Sequence, residues 1–197
     1  MRAFTFTRND FLVLDGGMGT QLQAAGMQPG EIPEARSILT PEIVTTIHEN
    51  YLQAGAQVVY ANTFGLNRLK LKDSPYTVEE VAKASLQAAR TACDNVAAQT
   101  GIPRYVALDL GPTGRLLKPV GDLGFEECVD IYAQVIRAAA PLCDLIAIET
   151  MTDPYEMKAA VLAAKENCDL PILATVAVDE NGRLLSGLEV EGVVALL

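Results

Sequence analysis

Short apolar runs alternate along the chain with longer stretches whose apolar positions recur every three or four residues. The runs Phe11–Asp15, Gln57–Ala61, Arg104–Leu110, Leu145–Glu149 and Pro171–Val178 each predict a strand buried on both faces. The first intervening helix is expected from Pro41, with Thr40 as N-cap; Ile43, Ile47, Tyr51 and Leu52 share one face, and Gly55 ends it. Thr77 and Glu80 form a capping box for a second, running to about Ala98 and stopped by Gly101 and Pro103. A third covers Phe125–Ala140, and Asp153, Pro154 and Glu156 open a fourth as cap, starter and capping-box acid. Thr20–Ala25 reads as a short helix, Gly26–Leu39 as a loop around Pro29, Gly30 and Pro33, and Glu189–Leu197 as a last helix.

Strand–helix alternation implies a parallel sheet with right-handed crossovers. Polar or glycine-rich clusters follow the strands at their C-terminal tips, which is where a (β/α) barrel distributes its active site. A closed barrel has eight βα units in typically about 250 residues. Five units are legible here, so the expected fold class is α/β, a (β/α)8 TIM-barrel type truncated to about five βα units. Residues 1–197 read as the N-terminal part of one such barrel without an internal domain boundary.

Composition narrows the partners. Half of the 197 residues are hydrophobic and the net charge is −10, which supports one sizeable core and speaks against nucleic acid or an anionic membrane surface. No signal-peptide core or transmembrane span is evident, so a cytoplasmic protein is the default. Cys93, Cys128, Cys143 and Cys168 are far apart and form no CxxC, which reads as reduced core or helix-face residues rather than disulfides or a local zinc site. His48, the single histidine, falls within a helix and reads as a helix-face residue rather than a catalyst.

The densest chemistry is at Asp15-Gly16-Gly17-Met18-Gly19-Thr20. The glycines allow a sharp turn and close approach of backbone to a bound molecule. A dinucleotide fingerprint fails, because Leu22 stands at the third required glycine and Asp15 would repel a pyrophosphate. A purely structural tight turn is the other reading of this stretch alone. Three further clusters follow in order: Asn62-Thr63-Phe64, Gly111-Pro112-Thr113-Gly114, and Glu149-Thr150-Met151-Thr152-Asp153.

These four clusters, in this order at successive strand ends, closely resemble the homocysteine S-methyltransferase family, and the similarity runs on to DENGRLLSG after the fifth strand. The stretch GPTGRLLKP is more similar to the homocysteine domain of corrinoid-dependent methionine synthases than to the betaine-using branch. The resemblance implies transfer of a methyl group to homocysteine, with methylcobalamin on a corrinoid domain or protein as donor. Homocysteine carries an ammonium, for which Asp15 and Glu149 offer carboxylates. Its carboxylate suits backbone N–H groups of the turns at Gly16–Gly19 and Gly111–Gly114. Asn62, Thr63 and Phe64 are expected as pocket walls, with Pro112 and Thr113 beside them. Met18 and Met151 either pad the substrate's aliphatic part or pack in the core, and Glu149 has the further reading of a helix-cap or ion-pair acid.

The family activates the thiol on zinc held by an Asn-Cys segment after strand six and a Cys-Cys pair near strand eight. No cysteine here matches either motif, so the isolated chain is expected to hold no zinc, to contain no catalytic residue and to be inactive by itself. Two rival readings stand beside this one. The first is a noncatalytic amino-acid-binding or assembly fragment; the second is an unrelated barrel enzyme using Asp15 and Glu149 as acid and base. A sheet lacking its closing strands is also expected to self-associate.

Overall fold

The computed structural model describes residues 11–197. Helix α1 (Met18–Ala24) is followed by a 3-10 turn (Pro33–Ala35), α2 (Arg36–Leu39), α3 (Pro41–Gln53), β1 (Val58–Tyr60), α4 (Val78–Thr100) and β2 (Tyr105–Leu110). Then come α5 (Phe125–Ala139), a 3-10 turn (Ala140–Leu142), β3 (Leu145–Met151), α6 (Pro154–Asn167), β4 (Ile172–Val176) and α7 (Val190–Leu196). The strands form one parallel sheet in the order β1-β2-β3-β4. Among the described residues no helix is long and apolar enough to cross a membrane.

Strand periodicity sorts the side chains into two layers. Val59, Val106, Leu108, Leu110, Ile146 and Ile148 face the helices and share the main core with α4, α5 and α6. Val58, Ala107, Leu145 and Ala147 form the opposite, inner cluster with Leu12, Leu14 and Leu173. Two residues further along the same face, alternation places Tyr60, Asp109 and Glu149 at the tips of β1, β2 and β3.

Several local expectations hold. The Thr77–Glu80 capping box is complete, and Gly101 ends α4 in the left-handed conformation with φ +72°. Asp153 caps α6 through the N–H groups of Tyr155 and Glu156.

Others need correction. The segment Phe11–Asp15 is not a regular strand: only Leu14 bridges to Val58, while Phe11 and Val13 are exposed. One cause is local, since Asp15 Oδ2 accepts the Tyr60 N–H at 3.0 Å, so a side chain takes the place of the next backbone rung. The observed sheet therefore has four strands plus this bridged segment, rather than five full strands. Residues 26–39 are not all loop, because α2 and the preceding 3-10 turn lie within them. Thr40 does not cap α3 with its side chain; its hydroxyl donates back to the Arg36 carbonyl at 3.3 Å. Glu156 closes no capping box, for reasons given below.

Candidate functional site

Helix α3 sets the opening turn. Tyr51 packs against Gly16, where an added Cβ would lie 2.9 Å from the ring, and its hydroxyl donates to the Gly17 carbonyl at 3.1 Å. Gly17 has φ −64°, and neither Gly16 nor Gly19 has positive φ. The glycine at position 16 is thus required by the close approach of Tyr51, not by a left-handed backbone. One helical turn before Tyr51, His48 is fully buried with its Nδ1 4.0 Å from Asp15 Oδ2. That is too long for a hydrogen bond, and neither ring nitrogen has a partner among the described residues.

Asp15, Gly16, Gly17, Met18, Asn62, Phe64 and Glu149 line one cavity of about 570 Å³ at the C-terminal end of the sheet. The bridged segment and β3 are separated by two strands, so curling of the sheet brings Asp15 and Glu149 onto one hollow. Thr150 follows Glu149 with φ +60°, a strained conformation for a β-branched residue, and the β3–β4 register shifts between Ile148 and Met151. The irregularity leaves Glu149 on the cavity wall and Met151 fully buried in the core.

Four predicted residues, Thr63, Gly111, Pro112 and Thr113, do not line this cavity. Thr63 is buried, its hydroxyl donating to the Asp109 carbonyl at 2.9 Å and accepting the Asp109 N–H at 3.1 Å. Thr113 donates to Glu156 Oε1 from its N–H at 2.7 Å and its hydroxyl at 2.6 Å. Gly111 supports Phe64 from beneath: a Cβ there would meet the Phe64 ring at 2.5 Å, and the Gly111 N–H donates to the Phe64 carbonyl at 2.9 Å. Pro112 offers its carbonyl to Lys70 Nζ at 3.2 Å, and that ammonium also sits 5.8 Å from the Phe64 ring centre.

Three ionisable wall residues, Glu34, Tyr60 and Asp109, were not among the expected site residues. Glu34, in the stretch read as loop, is buried and accepts the Gly65 N–H at 2.6 Å. Asn62 Nδ2 holds that wall in place by donating to the Pro33 carbonyl at 2.8 Å and Ser37 Oγ at 3.1 Å. Tyr60 and Asp109 complete the inner face. Asp109 was detectable as an acid inside an otherwise apolar strand, two residues before Gly111. Tyr60 was hidden in an apolar run that gave no sign of which face it occupied.

The acids are crowded and poorly solvated. Burial pushes Asp15 up to about 7, against the lowering effect of the Tyr60 amide, and also raises Glu149. Asp109 lies well above the ordinary carboxylate range through burial, reinforced by Glu149, Asp15 and Glu34. His48 is lowered to about 4 by burial, so the imidazole is neutral at neutral pH.

Zinc does not fit the cysteines of this chain. None lines the cavity, Cys93, Cys128 and Cys143 sit in the main core, and burial pushes each of these three thiols up to about 12. A zinc ligand is a thiolate. No cluster of three His, Cys, Asp or Glu side chains suited to a metal occurs among the described residues.

A family model described as homocysteine S-methyltransferase matches residues 12–197. Methionine synthase from Mycobacterium tuberculosis is 33% identical over 194 residues, covering 91% of this chain; the chain spans 16% of that relative's length. The metallated form of the homocysteine methyltransferase MmuM from Escherichia coli superposes with a TM-score of 0.86 at 22% identity, over 96% of this chain and 71% of that one. Its apo form gives a TM-score of 0.76 at 24% identity, with 68% of that chain covered. At these identities the structural likeness concerns the fold, a (β/α)-barrel architecture of which this chain spans a part.

Proposed function

Because the chain belongs to the homocysteine S-methyltransferase family, we propose that its cavity binds homocysteine for methyl transfer to the thiol in methionine synthesis. The observation that carries this reading is the convergence of Asp15 and Glu149 on a cavity whose described lining residues include no lysine, arginine or histidine. An ammonium is the natural counter-ion for such a hollow, and desolvation strengthens the pairing. Asp15 meets it at the cost of its remaining proton at neutral pH, since about 7 is its value in the free cavity. Met18 and Phe64 supply apolar surface for the substrate's methylenes.

The described lining of the cavity supplies no cysteine that could hold a zinc ion for activation of the thiol. Methylcobalamin, carried by a corrinoid domain or protein, is the proposed methyl donor. That choice rests on the GPTGRLLKP stretch and the similarity to methionine synthase.

Calorimetric titration of homocysteine into the protein and its Glu149→Gln variant tests the reading. Loss of one partner of a desolvated charge pair costs about 2–5 kcal/mol, at least a thirtyfold weakening, with the fold intact by circular dichroism. Unchanged affinity would remove Glu149 from the ammonium site.

The proposal extends to assembly. Among the described residues no strand pairs with the outer edge of β4, which is far less buried than β2. On the other side of the sheet, among the described residues, the bridged segment is the last and its Val13 is exposed. Such edges recruit further strands, so the 197-residue chain is expected to self-associate. Light scattering across a dilution series reads this directly, and a compact monomer at every concentration would refute it.

A further inference from the structure

Among the described residues the cavity wall contains four acids, Asp15, Glu34, Asp109 and Glu149, and no basic side chain. An amino acid brings a carboxylate bonded to the same carbon as its ammonium. If every acid were ionised, the groups that attract the ammonium would repel that carboxylate. Glu34 is engaged with the Gly65 N–H and Asp15 with the Tyr60 N–H. Asp109 differs from both. It stands on β2, between the bridged segment bearing Asp15 and the strand bearing Glu149, and it is only 6% exposed. Its backbone is clamped in both directions by the Thr63 hydroxyl, yet its side-chain Oδ1 has no hydrogen-bond partner. A buried carboxyl oxygen without a partner is costly, and the residue that carries it is part of the cavity lining.

Resting on the homocysteine reading, we propose that Asp109 is a substrate-contacting residue that keeps its proton and donates the carboxyl O–H to the carboxylate of the bound amino acid. The acids thereby divide their work. Asp15 and Glu149 take the ammonium as charged acceptors, and Asp109 supplies a neutral donor between them. The groups facing Asp109 all favour this state: Asp15 before α1, Glu34 in the 3-10 turn and Glu149 on β3 are negative when ionised, and Tyr60 on β1 is a phenol raised above its ordinary value chiefly by burial. Among the described residues no positive group lines the cavity; the Lys70 ammonium lies behind the wall, against Phe64.

The test uses two ligands, homocysteine and 3-aminopropane-1-thiol, which lacks the carboxylate, titrated at pH 7 into the protein and its Asp109→Asn and Asp109→Ala variants. Asparagine is neutral, isosteric and a donor, so Asp109→Asn is expected to bind both ligands within threefold of the unmodified protein. Asp109→Ala is expected to lose at least tenfold for homocysteine while the amine changes less than threefold. An infrared difference spectrum between the protein and Asp109→Asn should contain a carboxylic-acid C=O band, a readout that needs only the asparagine variant to fold. A tenfold loss in Asp109→Asn, equal losses of both ligands in Asp109→Ala, or a carboxylate band in place of the acid band would each overturn the proposal. An unmodified protein that binds neither ligand overturns the homocysteine reading, and this one with it; one that binds homocysteine but fails these comparisons overturns the role of Asp109 alone.

Discussion

Asp15→Asn is expected to raise the melting temperature at pH 8 while removing homocysteine binding from the same protein. The two effects share one cause. The folded value of about 7 lies above the ordinary 3.8, so folding disfavours the charged form. The stability tied to the protonated acid is fully present below about pH 4 and lost as pH rises through 7. A shift of that size is worth roughly 4 kcal/mol at pH 8, an upper figure because water entering the cavity screens the charge. Asparagine escapes this loss and still offers an oxygen to the Tyr60 N–H. Thermal melts should therefore show a gain of several degrees at pH 8 and little difference at pH 4. Calorimetry at pH 8 should show at least a thirtyfold loss of affinity, because the ammonium has lost a charged partner. A pH-independent change in melting temperature would contradict the origin assigned to the strain.

The second large effect lies outside the cavity. Glu156 is buried on α6, and its Oε1 accepts from the Thr113 N–H and hydroxyl at 2.7 and 2.6 Å. The Tyr132 hydroxyl lies 3.2 Å from the same oxygen and 3.1 Å from the Gly111 carbonyl. This one carboxylate ties the turn after β2 to α5 and α6. Glu156→Ala strands two or three buried donors, each costing about 1–3 kcal/mol, so a loss of about 3 kcal/mol or more is expected in urea unfolding. Glu156→Gln keeps an acceptor and should lose about 1 kcal/mol. Homocysteine affinity should fall in the alanine variant as well, because the freed turn includes Gly111, the platform beneath Phe64. Equal unfolding midpoints for Glu156→Ala and the unmodified protein would contradict this linkage.

Glu156 also marks where sequence reasoning stops. Its spacing from Asp153 matches a capping box, and the local rule sees nothing else; the partner that wins, Thr113, is 43 residues away and comes near only once α6 packs on α5. Thr77 and Glu80 obey the same rule faithfully because no tertiary donor competes for that exposed pair. The alternation of strands and helices was legible because the apolar runs at 57–61, 104–110 and 145–149 coincide with β1, β2 and β3, which are largely buried. Residues 33–39 were not, since proline and glycine suggested a loop, while Asn62 and Gly65 supply the partners that order them. Within the site, Asp15 and Glu149 stood out beside turn residues. Asp109 carries the same chemistry and is visible as an acid inside an apolar strand, but no turn residue adjoins it to mark it as part of the site.

The orphaned imidazole of His48 gives the protein a spectroscopic property. It is the only histidine in the chain, sealed from solvent and 4.0 Å from the acid assigned to the ammonium. With its own titration lowered to about 4, it stays in one charge state while Asp15 ionises near 7. The two carbon-bound protons of its ring are therefore expected to give one pair of imidazole resonances in a nuclear magnetic resonance spectrum, shifting as Asp15 ionises behind the cavity wall.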